Sequence, residues 1–323
     1  MSGATKEKNT KYYYPSEKMA KEYSIVDLFS GCGGMSLGLQ KAGYAVVAAF
    51  DNWKPAIHVY SKNFKHPIHQ HDLTDKKTVE LIGNYNPDII VGGPPCQDFS
   101  TAGPGVEQDR ANLTVTFAEI VAQVQPEFFI MENVPVIKNS TVLAKAIDVL
   151  KQVGYGLTQK ILDASYCGVP QTRKRFFLIG HIGANDDFLT KYLEKGLSSK
   201  PMTMYDYFGE SLGTEYYFRV PTNYNRRGVF SIYEPCVTIR GIDRPIPKGY
   251  KGHQNDPVPM GPKVRALTVA ERSYIQTFPS DFIFEGGKSD LNQMIGNAVP
   301  VQLAQYIGHA LLEYNSEINA RLE

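Results

Sequence analysis

Short apolar runs alternate with amphipathic stretches from residue 24 to about residue 180, and this alternation limits the possible folds more than any other feature of the chain. The apolar runs predict β-strands at Ser24–Phe29, Ala45–Phe50, Asp88–Gly92, Phe128–Met131 and Arg175–Gly180. The stretches between them predict helices at Met35–Ala42, Lys54–Asn63, Leu113–Val124 and Val142–Val153. Strands that alternate with helices form a mostly parallel sheet with helices on both faces. The sequence therefore predicts an α/β fold whose ligands bind at the carboxyl ends of the strands.

The character of the chain changes at about residue 185, where Pro, Gly, Tyr and Arg cluster and regular periodicity fades. This predicts a main domain over residues 21–185 and a smaller, irregular domain over residues 186–264, preceded by a polar arm at residues 1–20. Helical patterning returns where Thr268 and Glu271 have the spacing of a capping box. A final helix is predicted at Val301–Tyr314, and residues 265–323 are expected to rejoin the main domain.

The formal net charge is only +1, but it is unevenly distributed. Residues 219–265 contain nine Lys or Arg residues and three Asp or Glu residues, a net charge of +6, which leaves about −5 for the rest of the chain. Such a segment either faces an anion, for example a nucleic-acid backbone, or forms a solvated basic loop region. The charge by itself favours neither interpretation.

The cysteines, Cys32, Cys96, Cys167 and Cys236, have neither the spacing of a zinc site nor the close pairs of a disulfide framework. They fit a reducing compartment in which one thiol could be catalytic, and no metal site is expected. The N-terminal residues lack the apolar core of a signal peptide, and there is no run of about 18 apolar residues that would predict a membrane span. We therefore expect a cytoplasmic protein that does not bind a membrane.

A glycine-rich loop, residues 27–34 with the sequence DLFSGCGG, follows the first strand and leads into a helix. Glycines there let the backbone turn tightly and approach a ligand closely, although many α/β proteins contain such a turn. The loop matches neither the dinucleotide pattern G-x-G-x-x-G nor a phosphate-binding P-loop. The second strand ends at Asp51, where an acid commonly binds a ribose hydroxyl pair, and the flat ring of Trp53 is near. The pattern predicts an adenosine-bearing cofactor without a pyrophosphate.

A cysteine and a glutamate follow the next two predicted strands. Cys96 comes directly after the sequence G-G-P-P, and the prolines and polar neighbours favour an exposed, rigidly aimed thiol over the buried cysteine that is commoner in proteins. Glu132 comes directly after a buried strand, where a helix cap is the alternative role. Because both groups lie at the same predicted sheet edge, they predict covalent catalysis with acid assistance.

Six motifs, in order, resemble those of the DNA C5-cytosine methyltransferase family, and the resemblance covers almost the whole chain. They are D-L-F-S-G-x-G-G at 27–34, G-G-P-P-C-Q at 92–97, E-N-V at 132–134, Q-T-R-K-R at 171–175, R-A-L-T-x-x-E at 265–271 and I-G-N-A-V-P at 295–300. A basic segment, at a place where the family's sequences vary, separates the fourth motif from the fifth. The overall length resembles that of bacterial restriction–modification enzymes. The resemblance implies a Rossmann-like S-adenosylmethionine-dependent methyltransferase sheet with a smaller target-recognition domain.

The implied reaction is sequence-specific methyl transfer from S-adenosylmethionine to C5 of cytosine in double-stranded DNA, through a covalent Cys–C6 intermediate on a flipped base. The family pattern makes Cys96 the nucleophile and Glu132 the group that holds cytosine N3, while Arg173 and Arg175 contact the base carbonyl and support the pocket. The implied cofactor contacts are Phe29, Ser30, Gly31, Cys32, Gly33, Gly34, Asp51, Asn52, Trp53, Asp72, Leu73, Pro94, Asn297, Ala298 and Val299. The predicted DNA contacts are Gln97, Ser100, Arg226, Arg227, Thr238, Arg240 and Arg244, with Gln97 as a candidate to occupy the space left by the flipped base.

Two positions depart from the family pattern. Asn52 separates Asp51 from Trp53, whereas many members have the acid and the tryptophan side by side. Tyr274 stands where the family usually has an arginine three positions after Glu271, and Arg272 is near it.

Three other functions are compatible with parts of the sequence. A tRNA cytosine C5-methyltransferase would share the catalytic motifs. However, the basic segment at residues 219–265, which contains the pair Thr238-Ile239, resembles a DNA-recognition region. A non-catalytic nucleic-acid binder would not need Cys96, Glu132 and Arg175, and a thiol hydrolase would need a Cys–His–Asn or Cys–His–Asp set that is not evident. The expected enzyme acts as a monomer on double-stranded DNA, and a cognate restriction endonuclease that acts on the same sequence is a candidate partner.

Overall fold

A computed structural model describes residues 22–95, 113–221, 226–247 and 249–322. The predicted nucleophile Cys96 and the predicted DNA contacts Gln97 and Ser100 lie outside these described residues. The strands are β1 (Ser24–Leu28), β2 (Ala45–Asp51), β3 (Ile68–Gln70), β4 (Ile89–Gly92), β5 (Phe128–Asn133), β6 (Tyr155–Asp163), β7 (Gln171–Thr172), β8 (Lys174–Ile182), β9 (Tyr216–Phe218), β10 (Val229–Ser231), β11 (Cys236–Val237) and β12 (Val264–Ala266).

The helices of the described residues cover the faces of the main sheet and continue into the second region. They are α1 (Gly34–Ala42), α2 (Lys54–Asn63), α3 (Lys76–Gly83), α4 (Leu113–Val124), α5 (Thr141–Gln152), α6 (Thr190–Lys195), α7 (Met204–Phe208), α8 (Val269–Ile275), α9 (Lys288–Asn297) and α10 (Val301–Leu322). Short 3-10 helices lie at Pro135–Asn139 and Ala164–Tyr166. None of the helices in the described part of the chain is both long enough and apolar enough to cross a membrane.

The main sheet has seven strands in the order β3-β2-β1-β4-β5-β8-β6. The pairs from β3 to β5 are parallel, and β8 is antiparallel to both β5 and β6. The predicted α/β class with a mostly parallel sheet is therefore confirmed. The alternation of apolar runs and amphipathic stretches did not predict β3, which is only three residues long. It also did not predict β6, in which Gln159 and Lys160 interrupt the apolar run.

Each face of the sheet carries its own apolar core. On one face, α1 and α10 pack so closely that a Cβ on Gly38 would lie 2.3 Å from the Val301 carbonyl oxygen. On the other face, α4 and α5 cover Phe129, Met131 and their neighbours. These two cores hold the carboxyl ends of β1, β4 and β5 in a fixed arrangement, because packed interiors have little free volume into which strands could shift.

The chain just after residue 185 packs against the main sheet. Leu189 and α6, with its buried Tyr192 and Leu193, lie in the same core as α1 and α10. The domain boundary at residue 185 stays a prediction. The irregular region proper is built around the β10-β9-β12 sheet.

The irregular region does not stand apart from the main domain. One apolar cluster contains Met204, Tyr217 and Phe230 from this region together with Cys32 and Val59 from the main domain. In addition, β11 of the irregular region pairs with β7, so backbone hydrogen bonds join this region to the chain just before β8. The predicted return of residues 265–323 is consistent with α10, which extends beyond the predicted end at Tyr314 to Leu322.

Candidate active site

The parallel strands bring most of the predicted site residues to one edge of the sheet. Leu28 at the end of β1 is in register with Phe50 on β2 and with Gly92 on β4, and Gly92 is in register with Met131 on β5. The segments that follow these four strands are therefore neighbours. The glycine-rich loop and the G-G-P-P segment continue from the ends of β1 and β4, Asp51 is the last residue of β2, and Glu132 is the next-to-last residue of β5, so these groups lie at one sheet edge.

The glycine-rich loop turns back on itself and is tightly enclosed. Phe29 and Gly31 have φ angles of 55°, and Gly33 has a φ of 92°, a region that favours glycine. A Cβ on Gly33 would lie 2.3 Å from the Phe64 ring, and one on Gly34 would lie 2.3 Å from the Val299 carbonyl oxygen. The predicted cofactor residues at 29–34 and 297–299 therefore come together, although they are distant in sequence.

Both carboxylate oxygens of Asp51 accept backbone hydrogen bonds, and one of these bonds comes from the loop. The Gly31 N–H donates to Oδ2 at 2.8 Å, and the Trp53 N–H donates to Oδ1 at 2.8 Å. Burial raises the pKa of Asp51, and these backbone N–H donors act in the opposite direction. Each carboxylate oxygen can accept more than one hydrogen bond, so Asp51 keeps acceptor capacity for a ligand's hydroxyl groups while its position is fixed.

The remaining predicted cofactor residues differ in what their side chains do. The Cys32 side chain is buried in an apolar cluster, its thiol lies 3.7 Å from the Met294 carbonyl oxygen, and burial raises its pKa to about 12. Trp53 is half-buried against the apolar cluster that joins the two regions, whereas Asn52 is exposed. Asp72 accepts from the backbone and hydroxyl of Thr74, and Leu73 is buried. Asn297 is exposed, and its Oδ1 accepts from Gln293 at 3.2 Å.

Glu132 is a buried carboxyl group beside an arginine. The antiparallel pairing of β5 with β8 places Arg175 next to it, with Nε 2.8 Å from Glu132 Oε1. Burial raises the pKa of Glu132, and the positive charges of Arg175 and Arg173 oppose that rise. A Cβ on Gly93 would lie 3.2 Å from Glu132 Oε2, so this carboxyl directly adjoins the backbone that leads to Cys96.

Arg173 is bonded to the protein backbone. It is almost completely buried and donates to the carbonyl oxygens of Ile239 at 2.9 Å, Gly296 at 2.8 Å and Ala298 at 3.1 Å. These bonds join three distant segments of the chain, one of which is the predicted cofactor segment 297–299. The two arginines of the Q-T-R-K-R motif therefore differ: Arg173 bonds backbone carbonyl groups, and Arg175 contacts the Glu132 carboxyl group.

The sequence matches the C-5 cytosine-specific DNA methylase family over residues 23–313. The chain belongs to this family. The methylase resembles the Type II methyltransferase M.HindV of Haemophilus influenzae, with 56% identity over 295 residues that cover 90% of this chain and 97% of that relative. It also resembles M.HgiDI of Herpetosiphon aurantiacus, with 52% identity over 291 residues that cover 90% and 94% of the two chains.

Solved structures show the same fold at lower identity. The Dnmt2 methyltransferase of S. pombe has a TM-score of 0.66 and 16% identity, over 93% of this chain and all of that one. A mutant DNMT2 of Spodoptera frugiperda has a TM-score of 0.66 and 21% identity, over 90% and 99%. The methylase is thus a DNA cytosine-5 methyltransferase by family and by its curated relatives, and the solved structures agree with its fold.

Two glutamines in the methylase were missed by the sequence analysis. Gln171 donates to Gln276 at 2.8 Å and accepts from the Ile239 N–H at 2.7 Å, while Gln276 donates to the carbonyl oxygens of Ile295 and Ala298. Both are fully buried. Gln171 begins the Q-T-R-K-R motif, so its place in that motif was the available signal, whereas nothing local distinguishes Gln276.

Arg272 occupies the junction where the methylase lacks the family's usual arginine. It is buried, donates to the Arg240 carbonyl oxygen, and has its Nη1 3.3 Å from Asp243 Oδ1. Arg272 therefore anchors the turn that carries Arg240 and Arg244. This geometry explains how Tyr274 is tolerated at the departing position.

The predicted DNA contacts in the described residues fall into two groups. Arg226, Arg240 and Arg244 are exposed. Arg227 instead forms an ion pair with Glu234 and lies 4.5 Å from the centre of the Phe230 ring, and the Thr238 hydroxyl donates to the Thr172 carbonyl oxygen at 2.8 Å. Arg227 and Thr238 thus have partners within the protein, and the three exposed arginines have charge available for an external anion.

Proposed function

We propose that this methylase transfers a methyl group from S-adenosylmethionine to C5 of cytosine in double-stranded DNA, through a covalent bond between Cys96 and cytosine C6. The observation that carries the proposal is the buried Glu132 carboxyl, paired with Arg175 and adjoining the Gly93 backbone that leads to Cys96. This arrangement supports a pocket in which a thiol, an acid and a guanidinium act on one planar base.

The chemistry requires a nucleophile because cytosine C5 reacts poorly with a methyl sulfonium. The Cys96 thiolate would add to C6, which makes the C4–C5 side of the ring an enamine and C5 nucleophilic. After C5 has taken the methyl group, loss of the C5 proton and expulsion of the thiolate restore the aromatic ring. The nucleophile is thereby regenerated, and one methyl group has replaced one proton.

Glu132 would supply the hydrogen bond or proton that N3 needs as negative charge develops there. The raised pKa of the buried carboxyl favours its protonated form, which can donate. Arg175 lies on the same side and can stabilise charge on the neighbouring carbonyl oxygen O2. Both groups are held by the β5–β8 pairing, so they are positioned before the base arrives.

The enclosed glycine-rich loop and Asp51 fit the nucleoside part of S-adenosylmethionine, which supplies an electrophilic methyl group when bound. The positive φ angles at 29, 31 and 33 expose backbone groups of the loop, and Asp51 retains acceptor capacity for ribose hydroxyls. We assign the further cofactor contacts to Asp72, Pro94 and residues 297–299, which lie at or near the same sheet edge. The thiol cannot reach C6 within a stacked duplex, so we further propose that the target base flips out of the DNA.

We assign DNA recognition to the irregular region within residues 186–264, beginning after α6, and to Gln97 and Ser100. The names of the relatives, Type II methyltransferases, support an enzyme that protects DNA beside a cognate restriction endonuclease. We propose that it acts on DNA as a monomer.

Methylation of purified duplex DNA tests the proposal. The methylase, S-adenosylmethionine and unmethylated DNA are expected to give 5-methylcytosine at one recurring sequence, detected by mass spectrometry and located by bisulfite sequencing. A parallel reaction with tRNA is the control for the alternative substrate. Methylation of tRNA without methylation of DNA would contradict the proposal.

Replacing Asp51 with alanine is expected to weaken S-adenosylmethionine binding by roughly 1–3 kcal/mol, about 5- to 150-fold, because a buried hydrogen-bonding partner is lost. Asp51→Asn, which keeps one acceptor for the loop, is expected to fall between the wild type and Asp51→Ala. Calorimetric titration measures the affinities, and the exposed Asp148→Ala on α5 is the matched control. An unchanged affinity in Asp51→Ala would remove Asp51 from the site.

The arginines of the recognition region are expected to separate into two kinds. Arg226→Ala should weaken binding to all sequences and flatten its salt dependence, as for a phosphate contact. Arg240→Ala should relax specificity at one base pair, by about 1–3 kcal/mol, because Arg272 holds its backbone in a fixed turn. Arg244→Ala should behave like Arg240→Ala, whereas Arg227→Ala should mainly lower the melting temperature, since its partners are internal. Binding of each variant to cognate and scrambled duplexes over a series of salt concentrations distinguishes these roles. This region would not be the DNA-binding face if Arg226→Ala, Arg240→Ala and Arg244→Ala all bound DNA like the wild type.

A further inference from the structure

A chain of four hydrogen-bonded side chains runs beneath the glycine-rich loop, from buried Asp27 to half-buried His66. Ser36 Oγ donates to Asp27 Oδ2 at 2.5 Å, Ser36 Oγ and Tyr60 OH are 2.7 Å apart, and Tyr60 OH and His66 Nε2 are 2.7 Å apart. Asp27, Ser36 and Tyr60 are almost completely buried. Only the histidine end of the chain reaches solvent.

The members of this chain come from the elements that enclose the loop. Asp27 lies on β1 just before the loop, Ser36 lies in the first turn of α1 just after it, and Tyr60 lies on α2. Tyr60 stacks on Phe64 with ring centres 4.2 Å apart, and the Phe64 ring is the surface against which Gly33 packs. The chain therefore adjoins the backbone that we assign to cofactor binding.

The direction of the hydrogen bonds depends on one proton. An ionised Asp27 can only accept, so Ser36 must donate to it, Tyr60 must donate to Ser36, and the His66 Nε2–H must donate to Tyr60. A protonated Asp27 allows every bond to reverse, and His66 Nε2 then accepts. One proton can thus be held at the buried end or passed to the solvent end without moving a heavy atom.

The surroundings of Asp27 bring its pKa close to neutral pH. Burial raises the pKa of Asp27 to about 7, the Ser36 hydrogen bond lowers it, and the Asp51 charge adds to the rise. Among the described residues, the titratable groups that face Asp27 are Asp51 and Tyr60. The Cys32 thiol faces Asp51 from the loop. Burial lowers the pKa of His66, and the rings of Tyr60 and Phe64 are its aromatic neighbours among the described residues.

We propose that Asp27 is a positioning residue for the cofactor loop, and that it releases its proton through Ser36, Tyr60 and His66 when S-adenosylmethionine binds. The proposal rests on the cofactor named under the proposed function. The sulfonium gives S-adenosylmethionine one more positive charge than its demethylated product, S-adenosylhomocysteine. A cation bound on the loop favours the ionised form of a carboxyl beneath it, and linkage then requires proton release on binding.

The sign of the effect follows from this linkage. Below about pH 7 the free protein holds the proton, so binding must expel it, and the affinity for S-adenosylmethionine should rise by up to about tenfold per pH unit. Above about pH 7 Asp27 is already ionised, and the affinity should level off. The affinity for S-adenosylhomocysteine should change much less, so the preference for substrate over product should increase as the pH rises through this window.

Calorimetric titration of the full-length protein, in buffers of different ionisation enthalpy from about pH 6 to about pH 8, measures the protons released. We expect release to approach one proton per S-adenosylmethionine at the acidic end, to vanish at the basic end, and to be small with S-adenosylhomocysteine. Asp27→Asn keeps an acceptor for Ser36 and should abolish the release. Tyr60→Phe should move the midpoint to higher pH, because Ser36 loses its donor. Tyr85→Phe is the matched control, since Tyr85 bonds His69 Nε2 at 2.7 Å outside the chain.

Infrared difference spectroscopy supplies a second readout that does not depend on a variant. A band of a protonated buried carboxyl should be present in the wild-type protein at about pH 6 and should disappear when S-adenosylmethionine is added. Binding without proton release, or release that persists in Asp27→Asn, would overturn the inference while leaving the proposed cofactor intact. A complete lack of S-adenosylmethionine binding would instead overturn the proposed cofactor, and this inference with it.

Discussion

Cys96→Ser is expected to reduce methyl transfer by several orders of magnitude while DNA and S-adenosylmethionine binding remain near their wild-type values. A serine hydroxyl is almost entirely protonated at neutral pH, whereas a thiolate is strongly nucleophilic even when only a small fraction of the thiol is ionised. Without attack at C6, C5 does not become reactive. Single-turnover methylation and equilibrium binding to a cognate duplex measure the two effects separately.

A covalent trap makes this prediction specific to bond formation. DNA that contains 5-fluorocytosine has no C5 proton to lose, so the wild-type adduct should persist and appear as a shifted band on a denaturing gel. Cys96→Ser should give no such band. Cys167→Ser, at a free thiol buried in the apolar core, is the control and should still form the adduct. Near-normal turnover in Cys96→Ser would exclude the covalent mechanism.

Glu132→Gln is expected to lower kcat by roughly 10²- to 10⁴-fold, the usual contribution of a positioned acid. The amide can still accept from Arg175, so the fold should be retained, but it has no acidic proton to give to N3. The pH profile is a second test. Because burial raises the pKa of Glu132, wild-type turnover should fall as the pH rises through that pKa, and this loss should be absent from the residual activity of Glu132→Gln.

The control for Glu132→Gln is Glu119→Gln, which makes the same chemical change at an exposed position on α4. It should leave both kcat and the pH profile unchanged. If Glu132→Gln retained wild-type turnover with the wild-type pH profile, the buried carboxyl would have to be regarded as a structural partner of Arg175 only.

The local elements of the main domain were largely predictable because their signals are local. The helices α2 and α4 begin and end at the predicted residues, and the predicted capping box of Thr268 and Glu271 is present at α8. In these segments apolar periodicity, capping and burial all favour the same structure. The short strand β3 and the polar strand β6 were missed because their conformation comes from pairing with β2 and β8.

The sequence alone determined which chemical groups are available and the order in which the chain presents them. The glycine-rich loop, Asp51, the G-G-P-P segment and Glu132 each follow an apolar run, and a parallel sheet necessarily brings such positions to one edge. The family motifs then defined the expected reaction. These inferences needed no knowledge of contacts between distant segments.

Only the tertiary structure decided which groups become neighbours. Arg173 and Arg175 are two residues apart in one motif, yet one is buried against three carbonyl oxygens from distant segments and the other contacts Glu132. Likewise, Arg272 anchors the turn at Arg240, and Asp27 is joined to His66 through Ser36 and Tyr60. A side chain's role depends on which donors, acceptors and charges surround it after folding, and those partners come from parts of the chain whose proximity no local pattern encodes.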